Sequence, residues 1–426
     1  MATVDTAPDG FDAGVPVLGT PALVLIHATV PDSLASGTPD LGLPVIIILY
    51  EVWPFRPLLP IQETLEWLTD VLPSRTGEQR IALRSSARQM FAFGSRLTDA
   101  QFAKARTLAI RRAHSPIGVP AWVEETTTAA VTAGDTTIAI DTTAGDWRVN
   151  EGIVIYQDSD TYETALVTAV AVDQLTLLGP VAGTYTRPSI LPMRNALAIE
   201  GYQVRRDKAF TDVSAKLQVF DNVTLAGDAG YPQYQSLDVV TEKPALIADV
   251  SESIVRAAEY VDNGFGPIAV ETLLNYADFG QTISFHENRG SDLWRRRCWI
   301  HSLNGKQKAF WLPTFNQDLL LQSTIGSAAT VVTVKSIGHV GYYAGKHVMI
   351  LLNDGTRFFR AINSASKSGG NDLLTISSAI GQSVAVADIA LFCFISKVRL
   401  NSDVVTIDHQ FELASSVSIP VTEVPA

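Results

Sequence analysis

Apolar and polar residues alternate at every second position over much of this chain. The runs are short, β-branched and bounded by Pro, Gly, Ser and Asp, which predicts strands more often than helices. Residues 22–30 (ALVLIHATV) and 43–52 (LPVIIILYEV) are two such runs, separated by a turn-rich loop. Residues 62–68 break the rhythm: Leu65 and Leu68 stand three apart ahead of Pro73, which predicts a short helix. Arg80 to Arg84 and Met90 to Phe93 predict strands either side of a turn. Residues 99–112 give the strongest helical pattern, with Phe102, Ala105, Leu108 and Ala109 on one face and Asp99 as N-cap. Beyond Val119-Pro120-Ala121-Trp122, residues 126–194 become rich in Thr, Ala, Val, Gly and Asp, with strands expected at 136–141, 153–156, 163–170 and 175–177. Residues 324–396 have the same texture, with strands expected at 330–335, 348–352, 357–362 and 373–376. Asp354-Gly355 there marks a hairpin turn.

That recurrence extends along the chain. Glu63-Thr64-Leu65-Glu66-Trp67 matches Glu252-Ser253-Ile254-Val255-Arg256, and both segments read as first turns of a helix. Gly145 and Gly338 stand 193 positions apart, as do Gly152 and Gly345. Glu51, Glu242 and Glu423 each end an apolar run shortly before a proline. Two long copies do not make a solenoid, which needs shorter units and at least three of them. The pattern predicts a mainly β chain of two tandem-duplicated β-sandwich cores with short helices, each core carrying an inserted small barrel-like β domain. The expected parts are an N-terminal arm with strands (1–51), a first core (52–125 plus 195–242) with its insert (126–194), and a second core (243–322 plus 398–426) with its insert (323–397).

Composition narrows the function classes. At 426 residues, 46% hydrophobic and 18% charged, the chain is long enough for real cores and too apolar to be disordered. A net charge of −12 argues against affinity for a phosphate backbone, so no sequence-specific nucleic-acid binding is expected. The one tight basic run, Arg295-Arg296-Arg297, reads as a solvated strand edge. Cys298 and Cys393 sit in apolar contexts without a CxxC partner and read as buried small hydrophobes. The first residues have neither a basic nor an apolar signal region, and 45–50, the most apolar run, is too short to span a bilayer. Synthesis in a cytoplasm without membrane insertion is the expectation.

Candidate chemistry is sparse. The seven histidines (His27, His114, His286, His301, His339, His347, His409) form no metal-binding helix motif, and the neighbours His286 and Glu287 point apart in a strand. Asp158, Asp160 and Glu163 resemble a loose calcium loop without its Gly and closing Glu. Asp146, Glu151 and Glu163 are the carboxylates that glycoside hydrolysis would use, but the second copy has His339, Ala344 and Thr356 at those offsets. No catalytic, cofactor or metal residue is therefore assigned, and no enzyme is expected. Trp294, Trp299, Phe310, Trp311, Phe315, Tyr342 and Tyr343 cluster in the second copy. Trp294 and Trp299 read as strand residues that fill the core of an all-β domain, with a sugar-stacking platform as the alternative for the cluster.

The run GEQR at 77–80 and the run FWLPTFNQDL at 310–319, set in a duplicated β core, resemble those of distal-tail-type proteins from the tail tip of long-tailed bacteriophages. The resemblance covers most of residues 45–424 at the level of pattern. The first copy has only a weak aromatic run (Val119 to Trp122), and the second has only Pro267 to Glu271 in place of GEQR. The resemblance implies a ring around the tail axis that joins tube to hub, lines the DNA channel and carries no catalytic residues. Its implied partners are the tail tube protein, hub or other tip proteins, and further copies of the chain, as a trimer with pseudo-six-fold symmetry or a hexamer. A hub or receptor-binding tip protein touching host glycans is the alternative, and a glycan-degrading tail enzyme a further one.

Overall fold

The computed structural model describes residues 23–26, 45–48, 50–74, 77–207, 209–244, 252–255, 258–262, 264–272, 278–410 and 414–424. Most of the expected N-terminal arm lies outside the described residues. The chain is mainly β: strands dominate, and the described residues hold two α-helices, α1 (Asp99–Arg111) and α2 (Gly290–Leu303). It gathers into two compact units. One comprises Met1–Phe55, Ala103–Thr142 and Trp147–Leu197, the other Arg56–Phe102, Thr143–Asp146 and Ala198–Ala426.

The strands of the larger sheet are β1 (Leu58–Glu66), β4 (Arg88–Leu97), β6 (Thr211–Val219), β7 (Glu252–Val255), β10 (Asp278–Glu287), β12 (Val404–His409) and β13 (Ser415–Glu423). Between them lie β2 (Thr69–Pro73), β3 (Glu78–Ala82), β5 (Ser189–Arg206), β8 (Ala258–Val261), β9 (Ala269–Thr272) and β11 (Ile389–Leu400). Backbone pairing gives the order β6–β4–β1–β12–β13–β10–β7, antiparallel throughout. The end of β11 also pairs with β13. Ile61, Leu65, Val405, Ile407, Val417, Ile419, Ile283 and Phe285 are buried on one face of this sheet. Of these, all but Ile61 join a core with Leu293, Trp299, Ile300 and Leu303 of α2.

The two helix-flanked regions repeat one order of elements. β4, α1 and the strand Ile117–Pro120 precede four short strands (Thr137–Ala139, Gly152–Tyr156, Tyr162–Ala171, Gln174–Leu177) and then β5. β10, α2 and Ala309–Pro313 precede Val331–Lys335, His347–Leu352, Arg357–Ser368, Asn371–Ile376 and then β11. In both sets the first of the four pairs with the fourth, the second with the third, and the third with the fourth. The second also pairs with the long strand that follows. Each set has its own core: Ile138, Ile153, Ile155, Leu175 and Ile190 in one, Val332, Val348, Ile350, Leu374 and Phe392 in the other.

Four local expectations are corrected. Residues 62–68 are not a helix, because Ile61, Glu63, Leu65 and Trp67 are buried at every second position in and after β1, while Leu68 is exposed. Residues 252–255 are likewise a strand, β7. Trp294, Trp299 and Arg295 to Arg297 lie on α2, not on strands, and Arg296 and Arg297 are buried. Asp99 opens α1 rather than capping it. The cap is Thr98, whose Oγ1 accepts from the Gln101 backbone N–H (3.4 Å) while Gln101 Oε1 accepts from the Thr98 N–H (3.0 Å).

Candidate assembly interface

β1 and β12 lie more than three hundred residues apart in sequence, yet they pair from Glu66↔Val404 to Ile61↔His409. This seam carries a buried ionic cluster. Glu63 and Arg297 are 0% and 1% exposed, and Arg297 Nη2 donates to Glu63 Oε1 (2.8 Å). Gln89 Nε2 donates to the same oxygen (2.7 Å), and His409 Nε2 lies 3.2 Å from Oε2. Burial pushes the Glu63 carboxyl up, but the Arg297 guanidinium, His409 and Gln89 more than reverse this and hold it well below the usual carboxylate range. At the end of the seam Asp403 accepts from the backbone N–H of Thr69 (2.8 Å), from Thr69 Oγ1 (2.9 Å) and from the Lys306 N–H (3.0 Å). The hairpin β2–β3 is tied down by Glu78, which takes a bidentate pair from Arg399 (2.7 and 2.9 Å). Glu78 belongs to the GEQR run, so that run ties its hairpin to β11.

The sheet face away from α2 is polar. Gln62 donates to Asp408 (3.0 Å), Thr64 lies 3.5 Å from Thr406, and Ser284 and Ser418 hydroxyls are 2.9 Å apart. The first part of β5 pairs with Ile117–Pro120, and among the described residues no pairing is seen beyond its 198–206 part at one end of the sheet or beyond β7 at the other. β7 pairs with β10 and, among the described residues, with no other strand. At the other end, β5 turns into β6 at 207–210, and Lys216 of β6 reaches Glu200 of β5 (3.1 Å). Ile199 and Val204 are exposed there, at 43% and 49%. The hairpin β8–β9 next to β7 exposes Tyr260, Ile268, Val270 and, at its tip, Phe265 (93%).

Several of the residues weighed for chemistry are held by local hydrogen bonds and ion pairs. Both Glu163 carboxylate oxygens accept backbone N–H groups of Ala182 and Gly183 (2.8 to 3.0 Å), and Tyr185 Oη donates to Oε2 (3.2 Å). Burial first, then Glu163, pushes the Tyr185 hydroxyl up to about 12. Asp158 caps a turn by accepting from the N–H groups of Asp160 and Thr161 (both 2.8 Å), and Asp160 pairs with Lys104. No group of three or more His, Cys, Asp or Glu able to hold a metal occurs among the described residues. Asp146 is buried and Glu151 half-buried. His286 is exposed while its neighbour Glu287 is buried and accepts from Arg296 Nε (2.8 Å), as alternation in β10 requires.

Two residues of the expected solvated basic run, Arg296 and Arg297, are instead buried, and Arg295 is half-buried. Arg296 pairs with Glu287 and Glu242 and lies 3.8 Å over the Phe285 ring. Of the seven clustered aromatics, Trp299, Phe310, Trp311 and Tyr343 are buried, and Trp294 and Phe315 are half-buried. Tyr342 alone among them is exposed; it lines an open cleft of about 370 Å³ with Lys346, Phe394, Asp318 and Gln281. Cys298 and Cys393 are free and buried, and burial, then Asp318, pushes the Cys393 thiol up to about 12. Among the described residues no helix is long and apolar enough to cross a membrane. Sequence reasoning passed over Glu63, Arg297, His409 and Asp403. One signal was available: Glu63 falls on the apolar phase of a two-residue alternation. No protein-family model matches the chain, and no curated protein matches it.

Proposed function

We propose that the chain is a structural component of a bacteriophage tail tip that self-assembles into a ring, joins tail tube to hub and lines the DNA channel. The observation that carries this reading is the β1–β12 seam, in which two halves of one chain join edge to edge while the sheet keeps an open edge at each end. A head-to-tail joint with unused ends extends to further copies and closes when the rotation allows. The matching strand order of the two halves supports an internal duplication, each half a β core with an inserted β domain, so that three chains would supply six equivalent cores. The polar sheet face of Gln62, Thr64, Thr406, Ser284 and Ser418 suits a wall along which DNA slides, since Arg96 and Lys216 on that face are paired with Asp212 and Glu200. In this reading the protein acts without catalysis or cofactor, and it is made in the host cytoplasm and resides in the virion.

Gold labelling of a tagged chain in intact particles tests the assignment. Label at the tail tip is expected, and label on the capsid or along the shaft would overturn it. A receptor-binding role remains the second reading because of the exposed Tyr342 in its cleft. Glycan-array binding that is lost on Tyr342→Ala would favour it.

A further inference from the structure

We propose that residues 201–204 of one copy pair antiparallel with residues 252–255 of a second copy, in a register dictated by the seam already inside the chain. The proposal rests on the self-association put forward above and names the surfaces that make it.

Shared registers fix which strands correspond. β4 and β10 have ten residues each and run directly into α1 and α2. β1 lies along β4 with Glu63 opposite Phe91, and β7 lies along β10 with Glu252 opposite Gln281. On their other sides, β4 pairs with β6 from Thr211↔Leu97 to Gln218↔Met90, and β10 pairs with β13 from Ser415↔Glu287 to Thr422↔Gly280. So β1 corresponds to β7 and β6 to β13. The strand entering β6 is the outer part of β5, and the strand entering β13 is β12. Each turn closes on a backbone hydrogen bond of 2.9 Å, from the Asp207 N–H to the Phe210 carbonyl and, spanning one residue more, from the Gln410 N–H to the Ala414 carbonyl. Arg206 thereby corresponds to His409.

Within the chain β12 covers β1. The corresponding strands, β5 and β7, lie toward opposite ends of the sheet, so the second instance of the seam requires a second copy. Carrying the β1–β12 register across places Glu252 opposite Val204, Ser253 opposite Gln203, Ile254 opposite Tyr202 and Val255 opposite Gly201. Arg206 is exposed and lies over the Phe102 ring (4.7 Å), at the strand position that corresponds to His409. Exposed edges are normally guarded, yet β5 presents Ile199 and Val204 and the hairpin beside β7 presents Tyr260, Phe265 and Ile268. The corresponding hairpin β2–β3 is already tied down inside the chain through Glu78 and Arg399. A second copy of this chain supplies the missing cover.

Two differently tagged full-length chains, one with Ser253→Cys and one with Gln203→Cys, are coexpressed and oxidised. Directly opposed residues of an antiparallel pair have Cα atoms about 4.5–5.5 Å apart, within disulfide range. A covalent dimer carrying both tags is expected, at roughly ten times the yield given by Ser253→Cys with Val204→Cys, which faces the other side of the sheet. Equal yields would overturn the register. No cross-link in a sample that light scattering shows to be oligomeric would overturn the edge pairing and leave self-association standing. A sample that stays monomeric would overturn both.

Discussion

Replacing Arg297 with Met removes the arginine that donates to Glu63 and leaves a buried carboxylate facing Gln89 and His409. Both partners of this pair are almost fully enclosed, so water cannot take over from the lost guanidinium. Breaking a buried pair by deleting one member costs about 3–5 kcal/mol, against up to about 1 kcal/mol for an exposed pair. Urea unfolding followed by tryptophan fluorescence reads this region directly, because Trp67 and Trp299 belong to the adjoining core. Arg297→Met is expected to lose about 3–5 kcal/mol in the transition of this unit, and Glu63→Leu combined with Arg297→Met to recover most of it, since a well-packed apolar replacement removes both desolvation costs. The pH dependence has a definite sign. Because Glu63 is held below its ordinary value of 4.5, its contribution is fully present above about that pH and is lost as the pH falls below it. Glu63→Gln should therefore flatten the acid limb of the stability profile. A loss under about 1 kcal/mol for Arg297→Met would refute the assignment of the cluster as the lock of the seam.

Further outcomes follow from the same contacts. Asp403→Ala leaves the Thr69 and Lys306 N–H groups without their acceptor and should cost about 1–3 kcal/mol in urea, with hydrogen exchange rising at Thr69. Tyr343→Phe removes the donor to the buried Asp372 (2.9 Å) and should destabilise its unit by about 1–3 kcal/mol in the same assay. Glu163→Gln exchanges an acceptor for a donor opposite the Ala182 and Gly183 N–H groups; it should lower thermal stability by about 1–3 kcal/mol, and clear polymer cleavage lost with it would overturn the structural reading.

Much of the β architecture was legible because it depends on neighbours in sequence. The strands Gly152–Tyr156, His347–Leu352 and Asn371–Ile376 fall within two residues of their expected ends, since apolar alternation and a turn such as Asp354-Gly355 specify them locally. Glu63 lies opposite Phe91 and Glu252 opposite Gln281, both in strands where the local pattern predicts helix. The misassignments of β1 and α2 share one cause. Glu63 occupies an inward position of β1, and Arg297 an inward position of α2, so each interrupts the apolar pattern of its own element. Each makes sense only beside the other, across 234 residues of sequence. Local periodicity cannot register a charge whose burial depends on a distant partner.

Native mass measurement of the full chain over a range of concentrations tests the central claim of edge-to-edge self-association most directly. A closed three-chain species, with a six-chain ring as the other closed form, is the expected result. A chain that stays monomeric at every concentration, and also when tail proteins are supplied, would contradict it.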